Sequence, residues 1–150
     1  MPRMSLSDCL CYLTGKTFRK MLSCYMPILK KRDLTVSQLF VLLALYEMGD
    51  STPQELSIKL ALNGSTLTGI LNRLEDKGLV KRRINASDKR SFVVSLTDKA
   101  KRMKDELWGI YEEVNGELRS ALSQEEIEVL NRIMGKLEKK AEDMLEKERK

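Results

Sequence analysis

The chain has 150 residues, 42% hydrophobic and 33% charged, with a formal net charge of +5. That is enough chain for one domain with its own core, and the balance is neither that of a disordered chain nor of a membrane span. No histidine is present, so His-dependent triads are excluded, and three cysteines (Cys9, Cys11, Cys24) near the N-terminus make a poor disulfide framework or metal site.

Apolar residues at Leu6, Leu10, Leu13, Phe18, Met21, Leu22, Tyr25 and Leu29 predict a first helix over about 5–31, interrupted at Gly15 and nearing its end at Pro27. The start shows no signal peptide, and the chain is expected to stay in the cytoplasm. Thr35-Val36-Ser37-Gln38 fits a capping box, so a buried second helix follows through Leu39–Tyr46 and stops at Gly49. Thr52-Pro53-Gln54-Glu55 opens a short third helix, with a capping Thr, Pro at the first helical position and Glu at the third. After the turn at Leu62-Asn63-Gly64-Ser65, Asn63 caps a fourth helix that runs to Lys77 and ends at Gly78. Leu67, Ile70, Leu71 and Leu74 form its inner stripe, which leaves Ser65, Thr66, Thr68, Gly69, Asn72 and Arg73 mainly outside.

Two strands follow, Leu79–Ile84 and Ser91–Leu96, joined by the polar loop 85–90. Thr97 caps a long helix through Ala100, Met103, Leu107, Ile110, Tyr111, Val114 and Leu118. A capping box at Ser123–Glu126 starts the last helix, with Leu130, Ile133, Met134, Leu137, Ala141, Met144 and Leu145 on one stripe. The fold class is mainly α with a small β-hairpin: a winged helix-turn-helix core at about 34–97, flanked by terminal helices at about 5–31 and 98–147, within one domain.

Charge is unevenly placed. Arg73–Arg90 holds seven basic residues against three acidic ones, net +4, while Ser91 onward has twelve against fourteen, net −2. Taken alone, the basic segment fits a solvated face as well as a polyanion site. Its placement on a helix-turn-helix and hairpin favours double-stranded DNA. The small side chains Ser65, Thr66 and Thr68 allow a close approach in the major groove, Asn72 and Arg73 reach bases or backbone one turn on, and Lys89 and Arg90 at the hairpin tip suit a minor groove. Lys81 and Arg83 on the first strand suit phosphates.

The stretch Leu56–Thr97 resembles the MarR family of winged helix-turn-helix transcriptional regulators. The similarity lies in Leu62-Asn63-Gly64-Ser65-Thr66-Leu67-Thr68, in Arg73-Leu74-Glu75-Asp76-Lys77-Gly78-Leu79-Val80, and in the wing element Asp88-Lys89-Arg90 followed by a strand and Leu96-Thr97. The resemblance implies that Arg90 enters a minor groove while Asp88 holds the wing. It also implies a homodimer formed by interleaved terminal helices on a pseudo-palindromic operator, with release by a small aromatic ligand or by thiol oxidation. The terminal helices otherwise pack within one chain. Leu10-Cys11-Tyr12-Leu13 with Tyr25 and Pro27 is similar to the OhrR-type peroxide sensors, in which Cys11 matches the reactive thiol and Tyr25 one activating tyrosine. Gly15 and Val36 stand where that subfamily usually has tyrosines, so the activating network is incomplete, and Cys11 fits a small buried residue equally. Tyr12, Tyr25, Phe40, Tyr46 and Trp108 form either core or an aromatic effector pocket. No cofactor or metal is expected. The alternative function is a winged-helix protein-interaction module; an enzyme finds no Gly-rich loop or nucleophile–base pair to support it.

Overall fold

The computed structural model, which describes residues 5–149, begins with a 3-10 turn at Leu6–Asp8 and then α1 (Leu10–Lys30). The expected interruption at Gly15 does not occur: α1 runs through it. Glycine weakens a helix by about 1 kcal/mol but keeps its N–H, so the hydrogen-bond ladder survives. Pro27 lies inside the last turn, and the helix ends three residues later. Only Tyr25 and Leu29 of α1 are buried; Leu10, Leu13, Phe18 and Met26 are exposed.

The core is built around α2 (Val36–Met48). Thr35 accepts the Gln38 N–H at 3.2 Å and its own N–H donates to Gln38 Oε1 at 3.1 Å, which also satisfies the buried Gln38 side chain. Val36, Leu39 and Val41–Leu45 are all buried, so α2 is apolar around most of its circumference and other elements pack on it. Gly49 ends it at φ +75°, a left-handed angle that favours glycine. α3 (Pro53–Leu60) and α4 (Gly64–Asp76) follow, and both pack on α2. β1 (Val80–Ile84) pairs antiparallel with β2 (Phe92–Leu96), from Val80↔Leu96 to Ile84↔Phe92. A bridge between Ser51 and Val94, with N···O distances of 3.2 and 2.8 Å, ties the α2–α3 segment to β2.

The single long helix expected after Thr97 is two: α5 (Asp98–Arg102) and α6 (Lys104–Ser120), separated at Met103. The Ala100 carbonyl accounts for the break. It accepts the Tyr46 hydroxyl at 2.5 Å and the Met103 N–H at 3.1 Å, so the chain tightens there instead of continuing the regular ladder.

The structure falls into two compact units divided after Glu112, within α6. The segment 34–97 lies wholly in the first. The second holds the end of α6 and α7 (Gln124–Glu148), which starts with a capping box between Ser123 and Glu126. Along α7, Ile127 is buried, whereas Leu130, Ile133, Met134, Met144 and Leu145 are exposed. Among the described residues no helix is long and apolar enough to cross a membrane, and no cluster of three or more His, Cys, Asp or Glu is placed to hold a metal ion.

Burial pushes the Tyr46 phenol up to about 12 from its ordinary 10.0. A raised folded-state value means that the stabilisation is present in full below the unfolded value and is lost as pH rises through the folded one. Tyr46→Phe should therefore lower stability by about 1 kcal/mol at pH 7. Urea unfolding between pH 9 and 12 should also show a steeper alkaline loss in the parent than in the variant; parallel curves would separate Tyr46 from that loss.

Candidate nucleic-acid interface

The outward face of α4 follows from its inward one. Leu67, Leu71 and Leu74 are at most 2% exposed, and helical spacing then turns Ser65, Thr66, Thr68, Gly69, Asn72 and Arg73 outward, where all six are exposed. α3 is set in place before it. Thr52 accepts the Glu55 N–H at 3.2 Å, and the Thr52 N–H and hydroxyl both donate to Glu55 Oε2, at 2.7 and 2.9 Å. Those bonds hold the Glu55 carboxyl below its usual range. The turn between the two helices passes through Ala61 at φ +51°, a left-handed conformation in a residue other than glycine.

Asn63 is the N-cap of α4. Its Oδ1 accepts the Thr66 N–H at 2.8 Å and the Ser65 hydroxyl at 2.9 Å. The Ser65 proton is thereby used inside the cap, and Ser65 offers an acceptor to the outside. Thr66 and Thr68 have no side-chain partner among the described residues.

The wing loop is braced by short polar contacts. Asp88 Oδ1 accepts the Arg90 N–H at 3.0 Å, and the Asp88 carbonyl accepts the Ser91 N–H at 3.0 Å and its hydroxyl at 3.1 Å. Asn85 bonds across the loop to Ser91 and turns its own Oδ1 to the Ser87 N–H. Lys89 and Arg90 stand exposed at the tip.

The seven basic residues from Arg73 to Arg90 separate into two groups. Lys77 pairs with Asp33 at 3.0 Å, Arg82 with Glu75, and Arg83 with Asp50 at 3.5 Å. Arg73, Lys81, Lys89 and Arg90 are exposed and have no ion-pair partner among the described residues. The uncompensated charge thus lies along the outer side of α4 and the hairpin, a distribution suited to a polyanion. Arg82 is not among the residues that charge and helical spacing single out for the interface. The alternation Val80, Arg82, Ile84 is the signal that could have found it, because it places Arg82 on the same face of the strand as the buried Val80.

The residues considered for sensing do not gather at one place. Cys11 is exposed near the start of α1, and Cys9 and Cys24 are unpaired as well. Tyr25 is buried and packs edge-on to Phe40, with ring centroids 6.0 Å apart. Burial, the neighbouring Tyr111 and Cys24 raise its phenol above the ordinary value, so it remains a protonated donor at neutral pH. Tyr46 bonds to Ala100, Trp108 packs on Tyr111 at 5.4 Å, and Lys16 lies over the Tyr12 ring. A separate groove of about 680 Å³ lies elsewhere in the first unit, lined by Leu22, Met26, Leu34 and Val36 with Lys30 and Lys77 at its rim.

Residues 34–92 match the MarR family. Over 134 residues the chain is 31% identical to the HTH-type transcriptional regulator MgrA of Staphylococcus aureus, covering 89% of this chain and 90% of that one. The chain belongs to the MarR family. It is also 35% identical over 102 residues to the organic hydroperoxide resistance transcriptional regulator of Bacillus subtilis strain 168, covering 68% and 69% of the two chains. A crystal structure of the S. aureus MepR–DNA complex superposes with a TM-score of 0.80 at 25% identity, covering 91% of this chain and 99% of that one. The winged helix-turn-helix architecture is thus that of the MarR family, and the protein is a transcriptional regulator rather than an enzyme.

The cap of α4 is the local feature on which its outward face depends. Asn63→Ala should lower stability by ~0.5–2 kcal/mol in thermal unfolding, and Asn63→Asp should restore most of it. Equal stability in all three proteins would show that Asn63 does not hold the helix start.

Proposed function

We propose that this MarR-family protein is a repressor that binds a pseudo-palindromic operator as a homodimer and releases it when Cys11 is oxidised or a small aromatic ligand binds. The observation that carries the DNA-binding part is the pairing of two surfaces: the small polar face of α4 and the uncompensated cations of the adjoining hairpin. Ser65, Thr66 and Thr68 near the start of α4 meet base edges in the major groove, and Arg73, Lys81 and Arg83 meet phosphates. Lys89 and Arg90 reach a flanking minor groove, where negative potential attracts arginine, and Asp88 holds the loop that presents them. The relation to MepR, whose structure was solved with DNA, supports this reading.

The homodimer is supported by the apolar residues left open on α1 and α7, from Leu10, Leu13 and Phe18 to Leu130, Ile133, Met144 and Leu145. A two-fold dimer sets the two recognition helices about one DNA turn apart. All 150 residues then act as one functional domain, with 34–97 on DNA and the terminal helices at the dimer.

For release, the exposed Cys11 and the relation to the B. subtilis hydroperoxide regulator favour the thiol. Cys11 and Tyr25 lie about 21 Å apart along the straight rise of α1, so a Tyr25 that activates this thiol comes from the second copy. An aromatic effector would draw on Tyr12, Tyr25, Phe40, Tyr46 and Trp108, of which Tyr25 and Phe40 already pack on each other.

Fluorescence anisotropy with duplex DNA from the gene's own upstream region tests the proposal. Affinity should fall steeply as salt rises, as phosphate contacts require. Arg90→Ala should weaken binding by ~1–3 kcal/mol. Organic peroxide should release the parent but not Cys11→Ser, and thiol should reverse the release. A folded protein that binds neither this duplex nor a random-site pool would be a protein-docking module instead, and full peroxide sensitivity in Cys11→Ser would remove Cys11 as the sensor.

A further inference from the structure

Arg82 is the one cation of the hairpin turned back onto the recognition helix. From β1 it donates through Nη2 to Asn72 Oδ1 at 2.6 Å and through Nη1 to the Glu75 carboxylate. Its guanidinium carbon also lies 5.4 Å from the centroid of the Phe92 ring on β2. These contacts tie Arg82 to one flank of α4, where Asn72 and Glu75 are three residues apart, and to the second strand of the wing. The Arg82 side chain is 28% exposed, so much of it is withdrawn from any partner of the protein.

The chemistry of the pair fixes an orientation that the sequence leaves open. A guanidinium has donors and no acceptor, so the amide that faces it must present oxygen. The Asn72 oxygen is therefore turned inward, and its NH2 group is turned out from an exposed position. An asparagine that reads adenine needs both its oxygen and its nitrogen free for a bidentate pair. In Asn72 the Arg82 guanidinium already occupies one lone pair of the oxygen and holds the amide toward the β1 flank of α4. It also stands nine residues past the Asn63 cap, about 13 Å along the helix axis, beyond the N-terminal turns that enter a major groove.

We propose that Arg82 is a positioning residue for DNA binding: it holds the Asn72 amide so that Asn72 donates to a backbone phosphate and is closed to base readout. The proposal rests on the DNA-binding reading above. It makes Asn72 a sequence-independent contact, in contrast to Ser65 and Thr68 at the other end of α4. It also sets Arg82 apart from Arg90: Arg90 acts at the loop tip, and Arg82 acts through Asn72.

A double-mutant cycle with Asn72→Ala and Arg82→Met separates these roles. Methionine keeps a long side chain against Phe92 and removes every donor. Anisotropy on one duplex that the parent binds should show each single variant weakened by about 3- to 10-fold, the loss of one hydrogen bond. The double variant should be no weaker than the worse single one, and Arg82→Lys, which keeps a donor, should recover part of the loss. Combined with Arg90→Ala, Arg82→Met should multiply the losses, because the two act separately. Site selection from a random pool should return the same consensus for the parent and Asn72→Ala. Losses from Asn72→Ala and Arg82→Met that multiply, or non-additivity with Arg90 in place of Asn72, would show that Arg82 only braces the wing and would overturn the proposal. An altered consensus for Asn72→Ala would overturn it too, by making Asn72 a base reader. Should Arg82→Met melt early, Arg82→Lys in the same cycles decides the matter. Absence of parent binding would defeat the DNA-binding reading and this proposal together, whereas parent binding without coupling between Arg82 and Asn72 defeats this proposal alone.

Discussion

Burial of one leucine stripe orders the winged helix-turn-helix of this protein. Leu67, Leu71 and Leu74 of α4 sit among α2, α3 and β1 with almost no exposure, and a helix cannot bury one face without presenting the opposite one. Once those leucines are fixed, the rotation of α4 is fixed, and with it the outward positions of Ser65, Thr66, Thr68 and Arg73. The hairpin is then attached to the same frame: Val80 and Val94 are buried, Ser51 bridges to β2, and Arg82 joins β1 to the outer flank of α4. A rigid core thus carries a polar helix face and a basic loop in one register, which is what recognition of a stiff polyanion requires.

Electrostatics divides the labour among like residues. Seven basic side chains occupy a short stretch, yet three pair with Asp33, Glu75 and Asp50; Lys77 and Arg82 are largely covered in those pairs, whereas Arg83 stays 60% exposed beside Asp50. The four left over mark the outer surface. Formal net charge says little about this, since the value of +5 for the whole chain hides a concentrated basic segment beside a slightly acidic stretch from Ser91 onward. Partly exposed pairs such as Arg83–Asp50 contribute little to stability, so their effect lies in the local field and not in folding energy.

Much of this was legible in the sequence because local chemistry announces helix starts. Thr35 with Gln38, Thr52 with Pro53 and Glu55, Asn63, Thr97 and Ser123 with Glu126 all act as caps, and Gly49 and Gly78 end their helices at positive φ. The features that escaped depend on distant partners or on unusual backbone. The break at Met103 comes from Tyr46 bonding to the Ala100 carbonyl across 54 positions, and no Gly or Pro marks it. Gly15 gave a false break, since an amide ladder does not need its side chain. Ala61 and Asp33 adopt left-handed angles without glycine to signal them. On the interface, the exposed polar face of α4 followed from periodicity, but the bonds from Ser65 to Asn63 and from Asn72 to Arg82 required three dimensions.

Hydroxyl-radical footprinting of the parent protein on DNA from its own upstream region tests the central claim most directly, that the α4 face and the wing together form a DNA-reading surface used in duplicate. The account predicts two symmetric sets of protected positions, centred about one helical turn apart, with outlying minor-groove protection on each side where the wings reach. A single unpaired patch would contradict the two-fold arrangement, and uniform cleavage by a folded protein at saturating concentration would contradict DNA binding itself.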